Sequence, residues 1–202
     1  MLRNENNIYF HEYANIEIVQ GECSHSFPIH IHETLCVGLI TNGRASFVIN
    51  DQKDTLLSAG DYYVIPPYAS HALSSVELER FSYCVICFKK YTAGKRFDSI
   101  ISEAKTYIET SMSNFCIDAL SEAVHVSKYH LDRIFKKQIG ITPYQFYMGD
   151  RIKKVRQGLQ AHMSLSDIVF NLFFSDQSHL CNTFKKHMGI SPMQYARSYQ
   201  CH

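Results

Sequence analysis

The sequence predicts an α+β protein of two domains, an N-terminal all-β barrel followed by a C-terminal all-α domain carrying a duplicated unit joined by a long helix. Three observations predict this. Hydrophobic periodicity changes from strand-like to helical near residue 97, a seventeen-residue segment recurs in the second half, and the charge is divided unevenly between the halves.

The first half is built from short runs rich in Ile, Val, Phe and Tyr. Candidate strands are Ile16–Gln20, Thr34–Ile40, Ala45–Asn50, Asp61–Ile65 and Phe81–Phe88. Turn residues separate them at Thr41–Arg44, Asn50–Lys53, Ser58–Gly60 and Pro66-Pro67. Asn42-Gly43 between two such runs predicts a hairpin. Tyr91–Arg96 is polar and breaks the pattern, so the reading is a domain over 1–92, a linker over 93–97 and a second domain over 98–202.

From Phe97 onward Ile100, Ala104, Tyr107 and Ile108 form one apolar stripe of helical period. Further helices are expected at about 117–124, 128–138, 143–160, 166–172, 176–187 and 192–199. The segment His130–Phe146 returns forty-nine residues later as His179–Tyr195, with nine of seventeen positions identical, which is duplication. In each copy an apolar pair four apart, Leu131/Phe135 or Leu180/Phe184, anchors one face of a helix. A lysine pair then ends the helix, and Gly140 or Gly189 stops it in the left-handed region. Thr142-Pro143 and Ser191-Pro192 cap and start the next helix. A short helix and tight turn precede each copy, the second helix being capped by Ser127 or starting near Asp176. That is the helix-turn-helix plan, although a helical hairpin also serves as a protein-interaction module without DNA affinity. Residues 98–202 carry twelve Lys/Arg against nine Asp/Glu, whereas 1–97 carry eight against ten. The basic excess favours a nucleic-acid partner for the second half.

Composition excludes other classes. No signal-peptide pattern stands at the N-terminus and no apolar run approaches the ~20 residues of a membrane helix, so a cytoplasmic protein without membrane contact is expected. The seven cysteines are odd in number and scattered, as in a reducing compartment. Cys84 and Cys87 sit three apart on a strand, so their sulfurs face opposite ways and a redox or zinc pair is disfavoured.

The segment from Ser127 to Lys137 with Gly140–Pro143, and its partner Ser175–Leu180 with Phe184–Lys186 and Gly189–Tyr195, resemble the two helix-turn-helix units of AraC/XylS transcriptional regulators. The resemblance covers roughly 98–199 and implies a sequence-specific regulator, not an enzyme. In the first unit Lys128, Tyr129, Asp132, Arg133 and Lys136 face outward, with Arg133 the guanine-reading candidate, while Asp132 accepts from cytosine or orients Arg133. By resemblance Gln177, Ser178, Cys181 and Asn182 take the matching places in the second unit. Lys136, Lys137, Lys185 and Lys186 are expected on phosphates, or else are simply solvated. A joining helix of about 27 Å suits two successive major-groove segments of duplex DNA. The second unit departs from the family pattern. Phe173 stands where the turn usually has glycine, so a local difference is expected there. Val169 replaces an alanine, Gly158 a leucine and Ala196 an arginine.

His30–Ile40 with Gly43, and Gly60–His71, resemble the cupin-like sensor domain of the same family. The resemblance implies a small-molecule effector, with His30, His32, Tyr63, His71 and Tyr83 as candidate contacts and RNA polymerase as a further candidate partner. For the histidines a structural role leads, then effector contact, then metal ligation; no metal or cofactor is assigned. A metal-dependent cupin enzyme fused to a helical module is the alternative reading. About ninety residues before the linker leave little room for a dimerising helical pair, so a monomer or weak homodimer is expected.

Overall fold

The computed structural model describes residues 6–50, 52–89, 98–111 and 115–199. The first half forms β1 (Asn7–Tyr13), β2 (Ile16–Cys23), β3 (Leu35–Asn42), β4 (Arg44–Ile49), β5 (Thr55–Ser58), β6 (Tyr62–Ile65), β7 (His71–Ser75) and β8 (Phe81–Phe88). The second forms α1 (Ser99–Thr110), α2 (Ile117–Ala123), α3 (Lys128–Gln138), α4 (Pro143–Gln160), α5 (Leu165–Asn171), α6 (Gln177–Met188) and α7 (Pro192–Tyr199). The predicted linker at 93–97 lies outside the described residues.

Two antiparallel sheets, ordered β1-β2-β8-β3-β6 and β5-β4-β7, face each other as a cupin-like sandwich, the form that the predicted all-β barrel takes. Alternating side chains fill the space between them, among them Cys36, Ile40, Phe47, Tyr63, Leu73, Phe81 and Tyr83. Cys87 packs against this core and Cys84 does not, as their odd spacing requires. The Asn42-Gly43 expectation needs correction. β3 and β4 belong to different sheets, so the turn is a corner between sheets and not a hairpin. Gly43 makes the corner at φ +73, and a Cβ there would meet the Arg80 carbonyl at 2.6 Å. Three strands escape the sequence reading. β5 buries a single residue, Leu57, β7 ends in two serines and so lacks the apolar run that marks β6, and β1 is legible only once its partner surface is known.

The helices match expectation closely. Ser127 accepts from the His130 amide, Asp176 from the His179 amide, and Thr142 and Gln145 form a reciprocal capping box at the start of α4. Gly140 and Gly189 stop their helices at φ +86 and +76. α4 ties two helical cores together: Phe146 packs with Leu131, Ile134 and Phe135 of the first unit, whereas Ile152, Val155 and Leu159 pack with Leu180 and Phe184 of the second.

The sandwich is not a separate body. Ile8 and Phe10 of edge strand β1 are 4% exposed because they enter the second helical core. Each contributes roughly 1.5–3 kcal/mol by that burial. On the other side, Ile29 and Ile31 pack against the first helical core. Ser70 lies against Gly140, where a Cβ would meet its Oγ at 2.4 Å, and Ile8 and Phe27 lie against Gly189. The sandwich therefore touches the equivalent C-terminal stop of both repeats.

Candidate nucleic-acid interface and effector site

In the first unit α3 buries Leu131, Ile134 and Phe135 and turns the opposite face to solvent. Tyr129 is 85% exposed, and Lys128, Arg133, Lys136 and Lys137 are exposed beside it. Asp132 pairs with Lys136 at 2.9 Å, while Arg133 donates to His130 Nδ1 at 3.1 Å. Asp132 thus does not orient Arg133, contrary to one of the two roles the sequence suggests. Both are exposed interactions, and such contacts are readily exchanged for a ligand. Lys128 is held 2.7 Å from Asp118 in the first turn of the preceding helix, α2.

In the second unit α6 exposes Gln177, Ser178, Asn182, Lys185 and Lys186. Gln177 donates to Ser166 Oγ at 3.0 Å, which ties its amide back to α5. Cys181 is half-buried and packs against the core, so it is less exposed than the other candidates of the second unit. Arg151, which sequence reasoning did not single out, is buried and donates to the Leu172 carbonyl at 2.9 Å, its guanidinium 3.7 Å from the Phe174 ring centroid. It clamps the second turn from α4. The signal was available only as an arginine on the apolar face of the joining helix.

In the N-terminal half, Tyr63 and Tyr83 sit in the core at 6% exposure and their rings lie over Gly38 and Gly21. A Cβ on Gly38 would stand 2.1 Å from Tyr63 Cζ, so these rings fill the sandwich where the sequence reading expects them to line a pocket. His30, His32 and His71 are brought together, with ligand atoms all within 4.8 Å of one another. His71 opens β7, whereas His30 forms only an isolated bridge with it and His32 lies beyond that bridge on irregular backbone. Each Nδ1 meets a backbone carbonyl, of Pro28, Thr34 and Ala69 respectively, at 2.9 to 3.0 Å. A ring that donates from Nδ1 keeps the Nε2 lone pair free. Burial, with His32 nearby, holds His30 down to about 4, and burial followed by the His30 charge holds His71 well below its ordinary value. Both rings are neutral near pH 7, as ligands must be. The set therefore fits a transition-metal ion, with three imidazole donors and no carboxylate among them. Glu33 turns instead to the Tyr68 hydroxyl, 3.4 Å away, and to Lys105 at 3.8 Å.

Comparison with known proteins bears on both halves. The family profile described as "AraC-like ligand binding domain" matches residues 18–101, and that described as "Helix-turn-helix domain" matches residues 120–198. The two matches follow one another along most of the chain. The chain belongs to the AraC-type regulators. Within 67 residues this AraC-type chain is 42% identical to "Uncharacterized HTH-type transcriptional regulator YbfI" of Bacillus subtilis (strain 168), covering 33% of the chain and 24% of that protein. Over 62 residues it is 32% identical to "Bifunctional transcriptional activator/DNA repair enzyme Ada" of Escherichia coli (strain K12), covering 31% of the chain and 18% of that protein. The matched part is thus a quarter or less of either relative. Among solved structures, the C-terminal domain of AraT, a response regulator from Geobacillus stearothermophilus, is 27% identical at a TM-score of 0.49, over 52% of this chain and 88% of that one.

The departures of this AraC-type chain from the family pattern have structural consequences. Phe173 adopts φ +55, and the backbone closes as in the first unit, whose turn residue His125 has φ +54. Phe174 N–H donates to the Val169 carbonyl just as Val126 N–H donates to the Ser121 carbonyl. The expected local difference is absent, because the paired hydrogen bonds impose the left-handed residue whatever its side chain. Phe173 is 43% exposed, so little packing offsets the strain. Phe173→Gly is expected to raise stability by about 1 kcal/mol, read as a higher urea midpoint; an unchanged or lowered midpoint would show the ring to matter more than the torsion. Gly158 has a positive use, since a Cβ there would meet Ile168 side-chain atoms at 3.1 and 3.2 Å. The glycine lets α5 lie close on α4.

Proposed function

We propose that the chain is a sequence-specific, duplex-DNA-binding transcriptional regulator, working in the cytoplasm, whose engagement of promoter DNA or RNA polymerase is set by a small effector in the N-terminal domain. The observation that carries this reading is the pair of equivalent helices, α3 and α6, each capped at its N-terminus and exposing polar and basic side chains on one scaffold. α4 holds the two units, and the sandwich abuts the C-terminal stop of both. An occupant that shifts the sandwich would therefore alter the relation of the two helices to successive major-groove segments.

Arg133 and Tyr129 are the base-reading candidates of the first unit; Gln177 and Asn182 are those of the second, with Ser178 and Cys181 beside them. Lys128, Lys136, Lys137, Lys185 and Lys186 supply phosphate contacts, and Asp132 positions Lys136. Titrating the full chain against fragments of its own promoter across a salt series tests the proposal. Arg133→Ala should lose roughly 1–3 kcal/mol of specific binding, about five- to 150-fold, with non-specific binding nearly unchanged. Lys136→Ala with Lys137→Ala should weaken all sequences alike and flatten the salt slope. Sequence-independent binding by the wild type, or none, would remove this reading.

A further inference from the structure

We propose that Cys36 and Cys87 form a thiol-oxidation site that a small hydroperoxide closes into a reversible disulfide, and that the closure reaches α4 through the ion pair of Glu17 with Arg156. The site itself does not depend on the DNA-binding reading above.

The pairing comes from the sheet. β8 lies between β2 and β3, and Cys36 of β3 stands directly opposite Cys87 of β8 in the antiparallel register. Opposed residues send their side chains to the same face, and both of these meet the sandwich core. Both are free thiols, and they hydrogen-bond to one another. Thr34 Oγ1, 3.5 Å from Cys36 Sγ, steadies the inner member. Opposed antiparallel residues hold their Cα atoms about 4.5–5.5 Å apart, inside the roughly 4.4–6.8 Å that a disulfide spans. Among the described residues no other two cysteines are register partners: Cys23 stands opposite Phe81, and Cys84 opposite Gln20 and Leu39.

The chemistry follows from burial. Cys36 is fully buried and Cys87 half-buried, so a hydroperoxide meets Cys87 first. The Cys87 sulfur attacks the terminal oxygen of the peroxide and the O–O bond breaks. The thiol proton goes to the leaving oxygen, which yields Cys87 sulfenic acid and an alcohol, or water from hydrogen peroxide. The Cys36 sulfur then displaces the sulfenic oxygen, which departs as water with the Cys36 proton. Two thiols are oxidised and one peroxide bond is reduced. A resolving thiol already in contact closes the bridge before further oxidation, and an external dithiol reverses it.

The same row of residues continues across the sheet. Glu17 of β2 is the other register partner of Cys87, and it pairs with Arg156 of α4, whose Nε donates to the Tyr195 hydroxyl at 3.0 Å. Opposed strand residues hold their Cβ atoms about 4.5–5.5 Å apart, and a disulfide holds them at about 3.8 Å. Closing the bond therefore draws β8 toward β3 and away from Glu17 by roughly 1 Å. The anchor between the sandwich and the joining helix stands at that point.

The probe is hydrogen peroxide, added to the reduced full chain. Free thiols counted after denaturation should fall by two from the seven of the sequence, and dithiothreitol should restore them. Peptide mapping without reductant should find Cys36 joined to Cys87, a readout on the wild type that needs no variant to fold. Cys36→Ser should leave Cys87 as a sulfenic acid captured by dimedone, whereas Cys87→Ser should lose both the bridge and that adduct. Amide hydrogen exchange at 155–160 in α4 should quicken on oxidation of the wild type and stay unchanged in Cys87→Ser. A treated chain that keeps all its thiols, a bridge that joins any other pair, or a Cys36–Cys87 bridge with no change at 155–160 would each overturn the proposal. If promoter titrations fail while the bridge forms and quickens that exchange, the regulator reading falls and this site stands.

Discussion

Tyr195→Ala is expected to destabilise the protein by about 4–5 kcal/mol, measured as the shift in urea unfolding free energy. Tyr195 is fully buried in α7 and its ring meets Phe10, Phe184 and Tyr199 at centroid distances of 4.8, 5.6 and 5.5 Å. Its hydroxyl oxygen accepts from Arg156 Nε and from Gln160 Nε2, both at 3.0 Å. Truncation removes the ring that joins β1, α6 and α7 and leaves two donors without that acceptor. Tyr195→Phe separates the two effects, since it keeps the ring and should lose only about 1–3 kcal/mol. Total stability of single domains is about 5–15 kcal/mol, so the alanine variant should sit near the edge of folding at 37 °C. A loss below about 1 kcal/mol for Tyr195→Ala would mean that the second unit holds together without the contact to β1.

The position of Tyr195 also shows what the sequence makes legible. The seventeen-residue repeat, the glycine stops at 140 and 189 and the hydroxyl-proline starts are local signals, and the helices form where those signals stand. Local rules do not specify what the repeats pack against. β1 leaves no local signature because Ile8 and Phe10 are too few to define a period, and their reason for being apolar lies nearly two hundred residues away, in α7. The corner at Gly43 is hidden for the same reason: Asn-Gly encodes a reversal of direction, but which sheet receives the next strand depends on β8 and β7. At the candidate sites, the exposed face of α3 follows from helical period alone. The convergence of His71 with His30 and His32 rested on the family resemblance, since those residues lie forty positions apart and no local rule joins them. Tyr63 and Tyr83 fell on the wrong side of the reading because alternation gives the inward face but not whether the inside is filled or hollow; glycines at 38 and 21, opposite the rings, are the cue that it is filled.

Glu17→Ala carries the second large effect, and its direction tests whether the sandwich is anchored to the joining helix. Glu17 of β2 pairs with Arg156 of α4, and the side chains are only 11% and 25% exposed. The Arg156 guanidinium lies 5.4 Å from the ring centroids of both Phe10 and Tyr195. Removing the carboxylate strands the cation in that aromatic setting. Breaking a fully buried pair costs about 3–5 kcal/mol; with Arg156 a quarter exposed, about 2–3 kcal/mol is expected. Because a buried ion pair offsets its own desolvation poorly, replacing both partners with apolar groups, Glu17→Leu with Arg156→Met, should recover most of that loss. The double variant nevertheless gives up the donor to Tyr195, so recovery should stop about 1 kcal/mol short of wild type. Equal losses in the single and double variants would show that the carboxylate acts through packing alone. Additivity of Glu17→Ala with Tyr195→Phe would separate two contacts that geometry places in one network, Glu17 to Arg156 to Tyr195. Since that network crosses from the sandwich to the joining helix, loss of cooperativity should appear as separate unfolding of the two halves, with the sandwich core of Phe47, Tyr63 and Phe81 retaining its own transition.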